Sequence, residues 1–160
     1  MKQMISLKVN GEKHEVAVEP YETLLHVLRD CMGLQGTKQG CDSGGCGCCS
    51  VLVDGEVIYS CLTYVHSIKN REIKTVEGLS TSTTLDPLQQ AFIDTGAVQC
   101  GYCTAGMLMA ARQLLNRNPT PNDQEIRAGI SGNLCRCTGY HKIVEAIALA
   151  ASRENAAHKD

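Results

Sequence analysis

Gly40-Cys41-Asp42-Ser43-Gly44-Gly45-Cys46-Gly47-Cys48-Cys49 is the stretch on which the reading of this chain turns. Three of its thiols fall at Cys41-x4-Cys46-x2-Cys49, and Cys61 follows further along. That is a spacing for a two-iron, two-sulfur centre held by four thiolates. Such a centre and its ligands form a net anion, so backbone N–H groups must turn inward to meet it, and glycines let the chain come that close. Each hydrogen bond to a charged acceptor contributes about 1.5–3 kcal/mol. Gly40, Gly44, Gly45 and Gly47 stand where such a cradle needs them.

The fourth ligand depends on a strand register. Val51-Leu52-Val53 and Val57-Ile58-Tyr59 flank Asp54-Gly55, a primed hairpin turn. A clean two-residue turn sets residue 61 opposite Cys48, whereas a bulge or a three-residue loop sets it opposite Cys49. Cys48 is therefore a rival ligand; its other reading is a small spare thiol packed beside the centre.

Upstream, Ile5, Leu7 and Val9 alternate before Asn10-Gly11, and Val16 and Val18 alternate after it, which predicts another hairpin. Leu24, Leu25 and Leu28 have helical spacing after a Thr23 cap, with Gly33 as the stop. Ile73 to Val76 reads as a last strand. Strands around one helix predict a small α+β roll. The run Ser80 to Thr84 reads as a linker, after which the period becomes 3.6. Leu85, Leu88 and Phe92 fit one helix ending at Gly96, and Leu108, Ala111 and Leu115 a second, with Thr104 as N-cap and a halt before Pro119. Thr120-Pro121 and Asp123 open a third that Gly132-Asn133 ends; a fourth runs from Tyr140 to Ser152. Four short helices predict a small bundle.

This second half carries Cys100-x2-Cys103 and Cys135-x-Cys137, each at a helix start or in the turn before one, where thiolate is favoured. Either a second iron–sulfur centre or a four-cysteine zinc site fits; the C-x-C arm is less usual for zinc. Ten of 160 residues are Cys, and no sequence from Met1 to Pro20 has the apolar block of an export signal. The cytoplasm is then the expected compartment, where thiols stay reduced and act as ligands more often than as disulfides. A formal charge of −2 argues against nucleic-acid backbones as partners, and no apolar run approaches the ~20 residues of a membrane span.

Three blocks together carry a likeness: Gly40-Cys41 through Cys46-Gly47-x-Cys49, then Gln99-Cys100-Gly101-Tyr102-Cys103-Thr104-x-Gly106-Met107, then Gly132-Asn133-Leu134-Cys135-Arg136-Cys137-Thr138-Gly139-Tyr140. In that order the chain resembles the iron–sulfur small subunit of the molybdenum hydroxylases, the xanthine dehydrogenase and carbon monoxide dehydrogenase type, over roughly Ile5 to Ala150. The resemblance implies an α+β chain in which a β-grasp, plant-type ferredoxin domain (1–79) precedes a four-helix bundle (84–160), each with one 2Fe-2S cluster. It implies Cys41, Cys46, Cys49 and Cys61 as ligands in the first, and Cys100, Cys103, Cys135 and Cys137 in the second. It also implies that Gln99 and Cys137 touch the pterin of a neighbouring subunit.

The implied function is electron transfer. A large subunit with molybdopterin hydroxylates the substrate; electrons pass singly through the bundle cluster, then the ferredoxin-type cluster, to FAD in a medium subunit. Two such heterotrimers would pair, and this chain itself would hold no substrate. An aromatic N-heterocycle or purine is the expected substrate, with carbon monoxide, aldehydes and aromatic acyl-CoA thioesters as the other classes. A free ferredoxin and a zinc-built interaction module are the readings from outside the family.

Two positions depart from the family pattern. Ala105 stands where Pro is usual, at the first helical position if Thr104 caps, and Cys48 stands where Ala is common. Elsewhere, neither cysteine set has the Cys-x-His partner of a Rieske centre. His141 reads as a solvated helix residue, Gln99 as a surface amide if not a pterin contact, and Arg136 as a counter-charge or surface residue. Cys31 reads as a buried thiol, Lys38 as a tuning or partner-facing cation, and Met107 and Leu108 as ordinary core.

Overall fold

The computed structural model describes residues 1–81 and 83–157. Ser82, in the predicted linker, and residues 158–160, at the end of the predicted second domain, lie outside the described residues.

Both predicted hairpins form. Asn10-Gly11 and Asp54-Gly55 each take two successive left-handed φ values, the primed turn that suits the strand twist. They join β1 (Gln3–Val9) to β2 (Glu12–Val18) and β3 (Ser50–Val53) to β4 (Glu56–Tyr59). β5 (Glu72–Lys74) is shorter than Ile73 to Val76 implied, because Val76–Gly78 turns into a 3-10 helix. The sheet order is β2-β1-β5-β3-β4, with β1 and β5 parallel and the other pairs antiparallel. Alternation places Ile5, Leu7 and Val9 on the buried face, where they meet Leu24, Leu28, Val51, Val53 and Ile73.

One helix covers that face. Thr23 Oγ1 accepts from the His26 N–H, as a capping residue should, and opens α1 (Leu24–His26). The chain then widens into a π-helical turn over Val27–Cys31, closed by Met32 N–H donating to Val27 O at 3.0 Å. That turn carries Val27 and Leu28 inward and leaves Cys31 exposed, which corrects the expectation of a buried thiol there.

Four helices follow: α2 (Pro87–Asp94), α3 (Thr104–Arg117), α4 (Asp123–Gly129) and α5 (His141–Ala157). Phe92, Met107, Ile126, Ile143 and Ile147 form their core. Their boundaries correct the sequence reading in five places, one of them the end of α5, which runs on from Ser152 to Ala157. Asp86, with Pro87 after it, makes a capping box with Gln89, so Leu85 lies outside α2 and is exposed. Asn122 makes a second box with Glu125, displacing Thr120-Pro121 as the start of α4. α4 ends at Gly129, before Gly132-Asn133, which leaves those two residues free for another task. Thr104 is the first helical residue and Cys103 the N-cap, because the turn at Gly101 begins the winding one residue early. Ala105 is thus the second helical position, where an N–H is unpaired in any case.

β3 is buried at all four residues although its sequence alternates only weakly. α3 packs against the face opposite the α1 core, so Leu52 is covered as well as Val51 and Val53. The helical half is thereby seated on the sheet beside the cysteine loop.

Candidate metal centres

The glycine-rich loop leaves the π-helical turn and enters β3, and its thiols converge. The Cys41 thiol is lowered to about 6 by hydrogen bonds from the Ser43 N–H, from the Cys46 side chain and N–H, and from the Gly45 N–H, against some burial. This is the inward-turned backbone that an anionic centre requires. Cys49 Sγ lies 3.3 Å from Cys61 Sγ. Burial, the Cys49 contact and the charges of Cys49, Cys41 and Cys46 push the Cys61 thiol up to about 12. Thiols crowded to that degree cannot all ionise by themselves, and cations among them remove the conflict. The donor set therefore fits a cationic iron core, and the N–H groups fit its sulfur shell.

The hairpin register supplies an unforeseen answer to the ligand question. Ser50 pairs with Tyr59 and Val53 with Glu56, a clean two-residue turn whose continuation sets residue 61 opposite Cys48. Yet Cys61 meets Cys49. The strand stops at Tyr59, and Ser60–Leu62 winds into a 3-10 turn that swings the sulfur across. Ser60, fully buried, fastens this turn: its N–H and Oγ both donate to Cys49 O, at 3.3 and 2.7 Å. Neither a bulge nor a longer loop is present, which corrects that alternative.

The second set assembles from two distant segments. Cys103 at the N-cap of α3 sits beside Cys135, and Cys100 beside Cys137. Burial, then Cys135, pushes the Cys103 thiol up to about 12. Burial also acts to raise Cys135, but donors prevail and lower it: Thr138 Oγ1 at 3.1 Å, Thr138 N–H at 3.5 Å, and the Cys137 N–H. Tyr140 adds a brace the sequence reading gave no role, its hydroxyl accepting from Cys135 N–H at 2.9 Å. Cys100 and Cys137 are exposed, Cys103 and Cys135 half-buried. With Tyr102 and Leu134 they line a recess of about 240 Å³ that also reaches Cys46 and Cys48.

Cys48 stands between the two sets. It is buried, and its burial followed by the charges of Cys46, Cys49 and Cys41 pushes the thiol up to about 12. Its side-chain contact is with Cys46 and not with Cys61, which agrees with a thiol packed beside the centre.

Residues 132–134 tie the sets together. Tyr59 OH donates to Gly132 O (2.9 Å), Asn133 Nδ2 to Gly47 O (2.8 Å) and Ser50 Oγ (3.2 Å), and Leu134 N–H to Cys46 O (2.9 Å). Gly47 has φ +71°, and a Cβ there would press into Gly132 O and lie 2.7 Å from Asn133 Nδ2. The Asn133 amide is buried, and the sequence offered only its place in a motif as a signal. Tyr102 OH donates to Gln39 O at 2.5 Å across the same seam.

Gln99, Arg136 and His141 are exposed; His141 is the first residue of α5, a solvated helix residue as expected. Lys38 is half-buried, its Nζ donating to Gln35 O at 2.5 Å and its N–H to Cys48 O at 3.2 Å. Met107 and Leu108 are core. No helix of the described residues is long and apolar enough to cross a membrane.

Two family models match the chain: a 2Fe-2S iron-sulfur cluster binding domain over residues 7–80 and a 2Fe-2S binding domain over 75–148. The chain is 50% identical to the nicotine 6-hydroxylase small subunit of Paenarthrobacter nicotinovorans, over 89% of this chain and 86% of that one. It is 44% identical to the nicotinate dehydrogenase small FeS subunit of Eubacterium barkeri, over 93% and 95%. A chain of the quinoline 2-oxidoreductase of Pseudomonas putida 86 superposes with a TM-score of 0.91 at 47% identity, covering 95% of this chain and 97% of that one. With both halves matched and both cysteine sets assembled, the chain belongs to the small subunits of the molybdenum hydroxylases, which carry two 2Fe-2S binding domains.

Proposed function

We propose that this chain is the electron-transfer subunit of a cytoplasmic molybdenum hydroxylase acting on an aromatic N-heterocycle. The observation that carries the reading is the assembly of two separate four-thiol sets, each with its own hydrogen-bond donors, joined by the Leu134 N–H to Cys46 O bond. Cys41, Cys46, Cys49 and Cys61 would hold one 2Fe-2S cluster, and Cys100, Cys103, Cys135 and Cys137 the other. Each cluster supplies a carrier of one electron at a time, so that a two-electron oxidation in a partner subunit can reach FAD singly. The chain's own residues fix the thiols, donate to them, and keep the two sets at one separation.

The sheet order and the ring of contacts among α2, α3, α4 and α5 support a β-grasp domain over 1–79 and a four-helix bundle over 84–160. Exposure of Gln99, Cys100 and Cys137 beside Tyr102 and Leu134 supports this as the face against the molybdopterin subunit, with Gln99 and Cys137 nearest the pterin. A medium FAD subunit completes the heterotrimer, which pairs as a dimer. Nicotine, nicotinate and quinoline appear in the names of similar proteins, which favours an N-heterocycle, purines included, over carbon monoxide, aldehydes or aromatic acyl-CoA.

The test is purification of the native complex. About four irons per chain, with molybdenum and FAD in the co-purifying subunits, and anaerobic bleaching of the iron–sulfur absorbance by N-heterocycles but not by aldehydes are expected. A colourless chain containing zinc, or a brown chain with no partners, overturns the reading.

A further inference from the structure

The first helix, ten residues before Cys41 and lining a recess with Cys61, gathers a second kind of donor cluster. Glu22, His26 and Cys31 each bring one ligand atom to a patch in which all three atoms lie within 4.8 Å of one another. His26 Nε2 is 3.6 Å from Glu22 Oε1, facing it at a distance too long for a hydrogen bond.

The backbone explains the convergence. In a regular α-helix side chains meet at three and four residues' spacing, so residues 26 and 31 would diverge. The π-helical turn over Val27–Cys31 adds one residue to that turn and brings Cys31 round beside His26. Single π turns inside α-helices are rare and occur often at functional sites.

The supporting contacts resemble those around a bound metal. His26 Nδ1 is 2.9 Å from Asp30 Oδ2, so a carboxylate stands behind the ring as it does behind many metal-bound imidazoles. Glu22 Oε2 accepts the Glu19 N–H at 3.1 Å, which orients that carboxylate and leaves Oε1 turned to His26. Glu22 and Asp30 set two negative charges around the Cys31 thiol, against Lys2 on the other side.

We propose that Glu22, His26 and Cys31 form a surface site for one zinc ion, separate from the iron–sulfur centres. Carboxylate oxygen, imidazole nitrogen and thiolate sulfur together suit Zn²⁺ better than a hard cation such as Mg²⁺ or Ca²⁺. Bonds of about 2.0–2.3 Å at tetrahedral angles require ligand atoms about 3.3–3.7 Å apart. His26 and Glu22 already meet that spacing, and the exposed Cys31 side chain can rotate to do so. Binding would release the Cys31 proton and leave a fourth position to water.

The test uses the complete chain with its iron–sulfur centres in place, washed with chelator and dialysed against zinc chloride, with zinc and iron counted in the same sample. One zinc per chain above an unchanged iron content is expected. His26→Ala and Cys31→Ser should each abolish that zinc, and Asp30→Asn should weaken it about 10–100-fold through the lost orientation of the ring. With Co²⁺ as the probe, a thiolate-to-cobalt band should appear over the iron–sulfur background and vanish in Cys31→Ser. Because all three substitutions are at half-exposed or exposed positions, the visible spectrum should stay that of the parent. No zinc above background, zinc retained in both His26→Ala and Cys31→Ser, or zinc uptake matched by loss of iron would each overturn the site.

Discussion

Gly47→Ala tests whether the join between the two sulfur sets rests on close backbone approach. The new methyl meets two separate costs. Holding alanine at φ +71° costs about 1–2 kcal/mol, as for any L-residue in the left-handed region. Its Cβ also presses on Gly132 O and Asn133 Nδ2, neither at the tip of a flexible chain, which adds about 1–3 kcal/mol of overpacking. The sum is about 2–5 kcal/mol, or about 4–20 °C in Tm at about 2–4 °C per kcal/mol for a chain of this size. Gly55→Ala is the internal control. It has φ +86° with nothing within 4 Å of the added Cβ, so it carries only the backbone cost of about 1–2 kcal/mol. Urea unfolding monitored by circular dichroism gives the two midpoints, and equal slopes certify that the comparison is of like with like. Gly47→Ala should also lower the iron content, since it lies between Cys46 and Cys48, whereas Gly55→Ala should not. Equal losses for the two variants, within about 0.5 kcal/mol of the scatter of surface changes, would refute the role given to the seam.

Cys49→Ser should remove one of two electron-paramagnetic signals and about half the iron, while Cys48→Ser keeps both signals, since only Cys49 pairs with Cys61. Arg112→Ala should cost about 3–5 kcal/mol in urea unfolding, because Arg112 is mostly buried and bonds both Asp86 (2.5 Å) and Glu154 (2.7 Å), leaving Glu154 unpaired and Asp86 with its helix-cap bond alone. Asp54 and Asp94 are held below the usual carboxylate range, chiefly by Arg71 and by Gln90 with Arg153 respectively. Their contribution to stability is therefore complete above about pH 4 and fades as the pH falls through their folded values; Asp54→Asn should flatten that part of an acid-unfolding curve.

Elements governed by neighbours in sequence were legible from the residues alone. Asn10-Gly11 and Asp54-Gly55 specify primed turns whatever surrounds them, and the 3.6 period of Leu108, Ala111 and Leu115 needs only one apolar neighbour. The two capping boxes, Asp86 with Gln89 and Asn122 with Glu125, are also written in the sequence, beside the competing start signals of apolar Leu85 and the Thr120-Pro121 pair. The misses came where tertiary contacts override a local period. Nothing near Val27 announces a π turn, which is closed by Met32 N–H on Val27 O and followed by Leu34 N–H on Leu28 O. One added residue there reverses the exposure of Cys31. At Cys61 the residues left two registers open; the clean turn holds up to Tyr59, and a 3-10 turn fixed by buried Ser60 then changes which sulfur it meets.

The same contrast bears on how a relay can be built from two modules. A Ser/Thr-rich connection over residues 80–84 would let two independent domains drift, and electron transfer between centres falls steeply with separation. The separation is instead fixed away from the connection, by residues 132–134 entering the mouth of the glycine-rich loop. Asn133 is the specifying member, since its buried amide finds partners in Gly47 O and Ser50 Oγ only when the halves are seated in one register. Its neighbour Leu134 then donates to Cys46 O, so one hydrogen bond joins the backbone of a thiol in one set to that of the residue preceding a thiol in the other. A shift of the helical half by a single residue would break that bond and strand a buried amide together, which makes the geometry of the relay and the stability of the seam a single property of the sequence.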